Sequence, residues 1–443
     1  MSETQPKPLR SSTSGPLKGS ISVPGDKSIS HRALMLGAVA LGRTRIRGLL
    51  EGEDVLHTAA ALKQMGAESG RDDNGHWWVE GRGTGALNEA PNVMDMGNSG
   101  TSTRLLMGLV GSYGFNSLFT GDASLRKRPM ARVIDPLSQM GVNFLAREGG
   151  KLPITVLGTR DTVPITYTTP VASAQVKSAI LLCALNTPGI TTVIEKEATR
   201  DHSEIMLKHF GADITSEKTK DGLRISLRGY PELKAREVDV PGDPSSAAFV
   251  VAAALLAEGS DVTVKNVGLN PLRTGLYETL QEMGADITFE NTRLQAGEKT
   301  ADLRVKSSKL KGVKVPASRA PSMIDEYPIL AVLASFASGT TVMEGLAELR
   351  VKESDRIAMI ASNLEACGVK LSVEGDTLTV TGGKVAGGAN IKTAMDHRIA
   401  MSFLVMGLGA EKPIAIDDGS FINTSFPKFV DLMNGLGAKI SAA

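Results

Sequence analysis

Six times along the chain, the end of an amphipathic helix-like run passes through a glycine into a short β-type segment: ALKQMGAE, PLSQMGVNF, MLKHFGADI, TLQEMGADI, NLEACGVKL and LMNGLGAKI. The glycines are Gly66, Gly141, Gly211, Gly284, Gly368 and Gly437, spaced by roughly 70 to 84 residues. That period is too long for a solenoid repeat and long enough for a whole supersecondary unit. A glycine directly behind a helix suits the C′ position, where the backbone turns left-handed and a Cβ is penalised. The segments that follow, such as ADITFEN and VKLSVEG, alternate apolar and polar residues and so predict half-buried strands. Apolar runs between them, SAILLCAL, AAFVVAAALLA and YPILAVLASFA, predict helices buried on most sides. The expectation is an α/β chain of six similar modules, helices inside and sheets outside.

A second repeat sets the domain boundary. The tetrapeptide VPGD occurs at Val23 to Asp26 and again at Val240 to Asp243, with three repeat glycines between the copies and three after the second. This predicts two three-unit domains, one of residues 25–241 and one of residues 1–24 with 242–443, joined by a double crossover at the VPGD segments. The alternative is ordinary Pro-Gly-Asp turn chemistry recurring by chance. A length of 443 residues favours more than one core.

Composition narrows the function. A net charge of +1 and an aromatic content of 4% argue against nucleic-acid binding, so any basic site is local. Cys183 and Cys367 lie in apolar helix-like context without metal-ligand spacing and read as reduced core residues. The N-terminal stretch lacks an apolar signal-peptide core, and the run from 247 to 257 is too short to span a bilayer. A soluble cytoplasmic protein is expected.

Polar residues that gather ahead of apolar helices mark the candidate site. In PGDKSISHRAL, Lys27, Ser28 and Arg32 fall at or near a helix N-terminus, where free N–H groups and the dipole favour an anion. The alternative there is a capping serine with solvated neighbours. The GxxxxGK[ST] spacing of a nucleotide kinase is missing. Similar entries follow in GNSGTSTRLL (Asn98, Gly100, Thr101, Arg104), SLRKRPMAR (Arg126, Lys127, Arg128, Arg132) and SAQVKSAILL (Ser173, Gln175, Lys177). Others are TRDHSE (Arg200, His202, Glu204), IDEYPILA (Asp325, Glu326), VKESDRI (Lys352, Glu353, Arg356) and DHRIAMSF (His397, Arg398). Taken singly, each is explained by a cap and surface ion pairs. Together they predict one cleft ringed by helix N-termini. One histidine beside two carboxylates in RDHSE gives little support to a metal site.

These segments, in this order and with SFPKF near the end, resemble the enolpyruvyl transferases and, within them, the 5-enolpyruvylshikimate 3-phosphate synthases. The likeness runs from residue 24 to 429, and the RDHSE and SAQVK forms are similar to the second, bacterial class, some members of which tolerate glyphosate. It implies two domains of three βαβαββ units with a double crossover. It also implies transfer of the carboxyvinyl group of phosphoenolpyruvate to the 5-hydroxyl of shikimate 3-phosphate, with release of phosphate, in the shikimate pathway to aromatic amino acids. No metal or organic cofactor is implied, and a monomer is expected. By resemblance, Lys27, Ser28, Arg32, Ser173, Ala174, Gln175, Arg200, Asp325 and Lys352 hold shikimate 3-phosphate. Lys27, Gly100, Arg128, Gln175, Arg356 and Arg398 hold phosphoenolpyruvate. Asp325 and Glu353 are implied as the acid/base groups, with Lys27 beside them.

Two departures stand out against the family pattern. Thr424 occupies the place of a lysine found in the first class, which Lys352 or Lys428 would have to replace. Position 100 is glycine where some tolerant second-class members carry alanine, so glyphosate sensitivity is expected. The sister UDP-N-acetylglucosamine enolpyruvyl transferases carry Lys-Asn where this chain has Lys27-Ser28, and a loop cysteine that SLRKRPM lacks. A non-catalytic scaffold for phosphorylated ligands is the remaining rival, and it would leave Asp325 and Glu353 without a purpose.

Overall fold

A computed structural model describes residues 6–295 and 297–443. All six repeat glycines take positive φ, from 83° at Gly368 to 110° at Gly437, as the left-handed end of a helix requires. The described residues form six four-stranded sheets of one pattern. In each, a first strand pairs parallel with a second, which pairs antiparallel with a third, which pairs antiparallel with the strand that follows the repeat glycine. Strand Met94–Asp95, for example, lies beside Asn116–Thr120, then Lys151–Leu157, then Asn143–Arg147.

The strands behind the glycines are therefore all edge strands, and their alternation marks the face that packs: Ile287 is buried, and Phe289, Leu371 and Phe144 lie partly buried against the cores. Glu68–Arg71, Asn143–Arg147 and Lys370–Glu374 bury no residue, and Ile214–Thr219 and Asp286–Gln295 bury only Ile214 and Ile287. A strand at the edge of its sheet is covered on the face turned to the core and stays open along its free edge.

Two compact units result: residues 25–240 with 295–298, and residues 1–24 with 241–294 and 299–443. Each has its own hydrophobic core. In the second unit the N-terminal strands Leu9–Ser12 and Lys18–Ser22 complete two of the three sheets, beside Lys439–Ala442 and Asp261–Gly268 respectively. In the first, Glu237–Asp239 returns to pair with Leu41–Arg47. The two VPGD copies have one local task in common. Asp26 caps helix Lys27–Val39 by accepting from Ile29 N at 2.9 Å, and Asp243 caps helix Pro244–Leu256 by accepting from Ser245 N at 2.7 Å. A Cβ on Gly25 would lie 1.9 Å from Gly48 O, so the backbone approach that aims the first of these helices admits only glycine.

The central helices meet closely. Gly108 in helix Gly100–Gly111 packs on helix Ala174–Ala184, and a Cβ there would come within 2.2 Å of Ala179 O. Gly108→Ala is expected to cost about 3 kcal/mol or more by forcing the helices apart. A urea melt would show it as a lowered midpoint, and an unchanged midpoint would mean that the contact yields freely.

Candidate functional site

The central helices are buried along nearly their whole length, and the exceptions carry the site. In Lys27–Val39 only Lys27 and Ser28 are not buried; in Gly100–Gly111 only Thr101; in Ala174–Ala184 only Ala174 and Gln175; in His397–Gly407 only Arg398. Each exception lies in a first turn, where backbone N–H groups lack intrahelical partners. The apolar remainder anchors each helix and leaves its N-terminal turn as the part open to the surroundings.

In the unit of residues 25–240, Lys27 forms an ion pair with Asp54, a buried carboxylate in helix Glu53–Gln64. Arg32, one turn further in, donates from Nε to Ser203 Oγ at 2.7 Å, from Nη2 to Ser178 Oγ at 2.6 Å and from Nη1 to Ser28 O at 2.9 Å. These bonds fix the guanidinium on neutral oxygens and do not themselves cancel its charge. Ser173 precedes helix Ala174–Ala184 as its N-cap residue, yet its side chain makes no capping bond. Gln175 is set from both ends: Arg104 Nη1 donates to its Oε1 at 2.7 Å, and its Nε2 donates to Thr101 Oγ1 at 3.0 Å. Arg128 donates to Asn98 O at 3.2 Å, to Asn98 Oδ1 at 2.6 Å and to Ser124 Oγ at 3.0 Å. Gly100 lies directly under Arg104 and Arg128. Arg200, half-buried, follows strand Ile190–Glu195 and precedes helix His202–Phe210.

In the unit of residues 241–443, one arginine organises the carboxylates. Arg356, fully buried at the first position of helix Arg356–Ala366, donates from Nε to Asp396 Oδ2 at 2.8 Å and from Nη2 to Asp396 Oδ1 at 3.3 Å. Its Nη2 also reaches Glu353 Oε2 at 2.6 Å, and its Nη1 reaches Asp325 Oδ1 at 3.2 Å. Burial works against its charge, and Asp396, Glu353 and Asp325 outweigh that penalty, so the guanidinium is held above its ordinary range. Lys352 Nζ lies 3.5 Å from Asp325 Oδ1, and Arg398 Nη1 donates to Asp325 O at 3.4 Å and sits 3.7 Å from Glu326 Oε1. Asp325 and Glu353 thus share one cationic support, while 13% and 18% of their side-chain surface stays open.

Several of these positions are not evident from the sequence. Asp54 carries no motif, and only its pairing with Lys27 marks it. Asp396 announces itself only as the residue before a helix, where it also accepts from Arg398 N at 3.0 Å. Lys177, grouped with Ser173 and Gln175 by sequence, turns inward to Glu195 and Glu204. Thr424, in place of a lysine, is buried and donates to Phe421 O at 2.7 Å, whereas Lys428 is exposed with φ 65°.

This architecture has close counterparts. An enolpyruvyl transferase from Streptomyces tendae superimposes with a TM-score of 0.77 over 98% of this chain and 99% of its own, at 18% identity, and so shares the fold. The fold class is that of the enolpyruvyl transferases. EPSP synthase from Acinetobacter baumannii superimposes with a TM-score of 0.86 at 43% identity, covering 98% of this chain and 99% of that one. Proteins named 3-phosphoshikimate 1-carboxyvinyltransferase from Paramagnetospirillum magneticum and Cereibacter sphaeroides are 63% and 59% identical over 98% of both chains in each case. A family model for EPSP synthase (3-phosphoshikimate 1-carboxyvinyltransferase) matches residues 12–433. The chain belongs to that family.

Proposed function

We propose that this chain transfers the carboxyvinyl group of phosphoenolpyruvate to the 5-hydroxyl of shikimate 3-phosphate and releases phosphate. The observation that carries this reading is the pair Asp325 and Glu353 held on Arg356, in a chain whose other half offers Lys27, Arg32, Gln175 and Arg128 at helix entries. A cationic, hydroxyl-rich set of groups suits two phosphorylated anions, and two carboxylates suit a reaction that moves two protons.

Lys27, Ser28, Arg32, Ser173, Ala174, Gln175, Arg200 and Lys352 hold shikimate 3-phosphate. Lys27, Gly100, Arg128, Gln175, Arg356 and Arg398 hold phosphoenolpyruvate. Asp325 takes the proton from the 5-hydroxyl, whose oxygen bonds to C2 of phosphoenolpyruvate, while Glu353 delivers a proton to C3 and converts the methylene to a methyl. Glu353, ionised by that delivery, then takes a methyl proton back while phosphate departs from C2 with the proton held by Asp325, which restores the double bond on the product. Four of the five N–H groups of Arg356 are engaged by Asp396, Glu353 and Asp325, so a remaining Nη1 N–H is its contact for a phosphoenolpyruvate oxygen. One chain carries all of these groups, so a monomer suffices. Among the described residues no helix is long and apolar enough to cross a membrane. The cytoplasm, where phosphoenolpyruvate is made, is the proposed location.

The test follows phosphate release from phosphoenolpyruvate in metal-free buffer with shikimate 3-phosphate, and with UDP-N-acetylglucosamine as the control acceptor. Release with the first acceptor alone is expected. Release with the nucleotide sugar alone would assign the sister reaction, and silence with both would leave a binding scaffold.

Glyphosate is the expected inhibitor, and Gly100 sets the sensitivity. A Cβ there would lie 3.1 Å from Arg104 Nη1 and 3.2 Å from Arg128 Nη1, so Gly100→Ala pushes on both guanidinium ends and shortens the pocket. The variant is expected to raise the half-inhibitory glyphosate concentration about tenfold or more, with a smaller rise in the KM of the shorter phosphoenolpyruvate. Equal changes in both would show that the methyl disturbs the arginines without discriminating by length.

A further inference from the structure

Two cations rank among the largest fully buried side chains, Arg356 and Lys177. The first serves the carboxylates of the site, and the second has no role in the reaction as described. Lys177 Nζ donates to Glu195 Oε2 at 2.8 Å and to Thr199 O at 3.3 Å, and lies 2.7 Å from Glu204 Oε1. Two of its three N–H donors are hydrogen-bonded, and Glu204 faces the ammonium as a buried ion-pair partner. Burial works against the ammonium, and Glu204 and Glu195 outweigh it, so Lys177 keeps its charge.

The cluster converges on one residue. Thr199 Oγ1 donates to Glu195 Oε1, Thr199 N donates to Glu195 Oε2 at 3.3 Å, and Thr199 O accepts from Lys177. Every polar atom of Thr199 is thereby held, and the next residue is Arg200. Strand Ile190–Glu195 ends at Glu195 and helix His202–Phe210 begins two residues after Arg200, so Arg200 lies in the connection between them, directly behind the held Thr199. Lys177 also stands one turn into the helix whose entry carries Ser173 and Gln175, and Glu204 follows Ser203, which accepts from Arg32.

We propose that Lys177, Glu195 and Glu204 are positioning residues for shikimate 3-phosphate, acting through Thr199 to aim Arg200. This rests on the assignment of Arg200 to that substrate. A buried ion cluster is weak evidence for stability, because desolvation offsets its attraction. What it supplies is a fixed geometry, with the three-point hold on Thr199 as its product.

Removing Lys177 itself would leave two buried carboxyls face to face and could prevent folding, so the decisive variant is Thr199→Val, which keeps shape and loses the hydroxyl. Initial rates with each substrate varied, calorimetric titration with shikimate 3-phosphate and a thermal melt would be run on it, on Thr199→Ser and on Arg200→Ala. Thr199→Val is expected to raise the KM and Kd for shikimate 3-phosphate about tenfold, leave kcat and the phosphoenolpyruvate KM within about twofold, and be rescued by Thr199→Ser. If Arg200→Ala weakens shikimate 3-phosphate and Thr199→Val does not, the positioning role is wrong and the site assignment stands. If Thr199→Val weakens both substrates together with a lowered melting temperature, the role is structural and the proposal falls. If Arg200→Ala leaves shikimate 3-phosphate unaffected, the assignment of Arg200 fails first and takes the inference with it.

Discussion

Arg356→Met is expected to destabilise the protein by about 3–5 kcal/mol and to lower turnover by at least about a thousandfold. The stability loss comes from Asp396. Its carboxylate is fully buried, receives both Nε and Nη2 of Arg356, and caps helix His397–Gly407 through Arg398 N. Without the guanidinium, Ser354 Oγ at 3.0 Å and that one backbone N–H are left to support a buried charge, which is far less than a forked ion pair supplies. The turnover loss has a different origin, since Asp325 and Glu353 lose the group that sets their separation. Arg356→Lys divides the two effects. An ammonium keeps the charge beside Asp396, and so most of the stability, but it cannot hold Asp396 by a fork while reaching Asp325 and Glu353. Denaturant titration and initial rates on both variants check this, and a Met variant as stable as the parent would show that Asp396 does not depend on Arg356.

The parts of this molecule that sequence makes legible are those fixed by one residue's own backbone. The glycines from Gly66 to Gly437 show because a left-handed helix end excludes other residues wherever it recurs, and so the module count is visible. The apolar helices and the polar residues at their entries show for a similar reason: burial along the helix and exposure at its first turn are both local patterns. What depends on a partner far away does not show. The alternation in VKLSVEG shows which face packs, with Val369 buried and Leu371 against the core, but not that Lys370–Glu374 has a neighbour on one side alone, which is a property of the sheet. Asp54 is one acidic residue among many until the fold sets it on Lys27, and Lys177 looks like a ligand-facing cation until Glu195 and Glu204 close on it. At the helix carrying Lys27, the reading of a serine cap misses Asp26, whose carboxylate accepts three residues ahead from Ile29 N. Resemblance names the substrate-binding arginines; it does not say that the fork of Arg356 is already committed to Asp396.

Glu353→Gln is expected to reduce kcat by about two to four orders of magnitude with the KM of each substrate changed by no more than about threefold. The amide occupies the same volume, and its oxygen can still accept from Arg356 Nη2, now 2.6 Å from Glu353 Oε2, so the loop from Lys352 to Arg356 keeps its shape. What it cannot do is hand a proton to the C3 carbon of phosphoenolpyruvate, and the addition half of the reaction then has no donor. Binding has no reason to weaken: the amide oxygen still accepts from Arg356, and loss of the carboxylate's ionised form leaves Arg356 less compensated, which favours an anionic substrate. The split between kcat and KM therefore separates the two roles a carboxylate can have here. A proton donor shows in kcat alone, whereas a residue that only shapes the site shows in both. Asp325→Asn makes the complementary case. Its amide oxygen keeps an acceptor for Arg356 Nη1 and loses the basicity needed at the 5-hydroxyl, so an equally selective loss of kcat is expected there. Equal losses of affinity and turnover in either variant would return that carboxylate to a binding role and require another group to carry its proton.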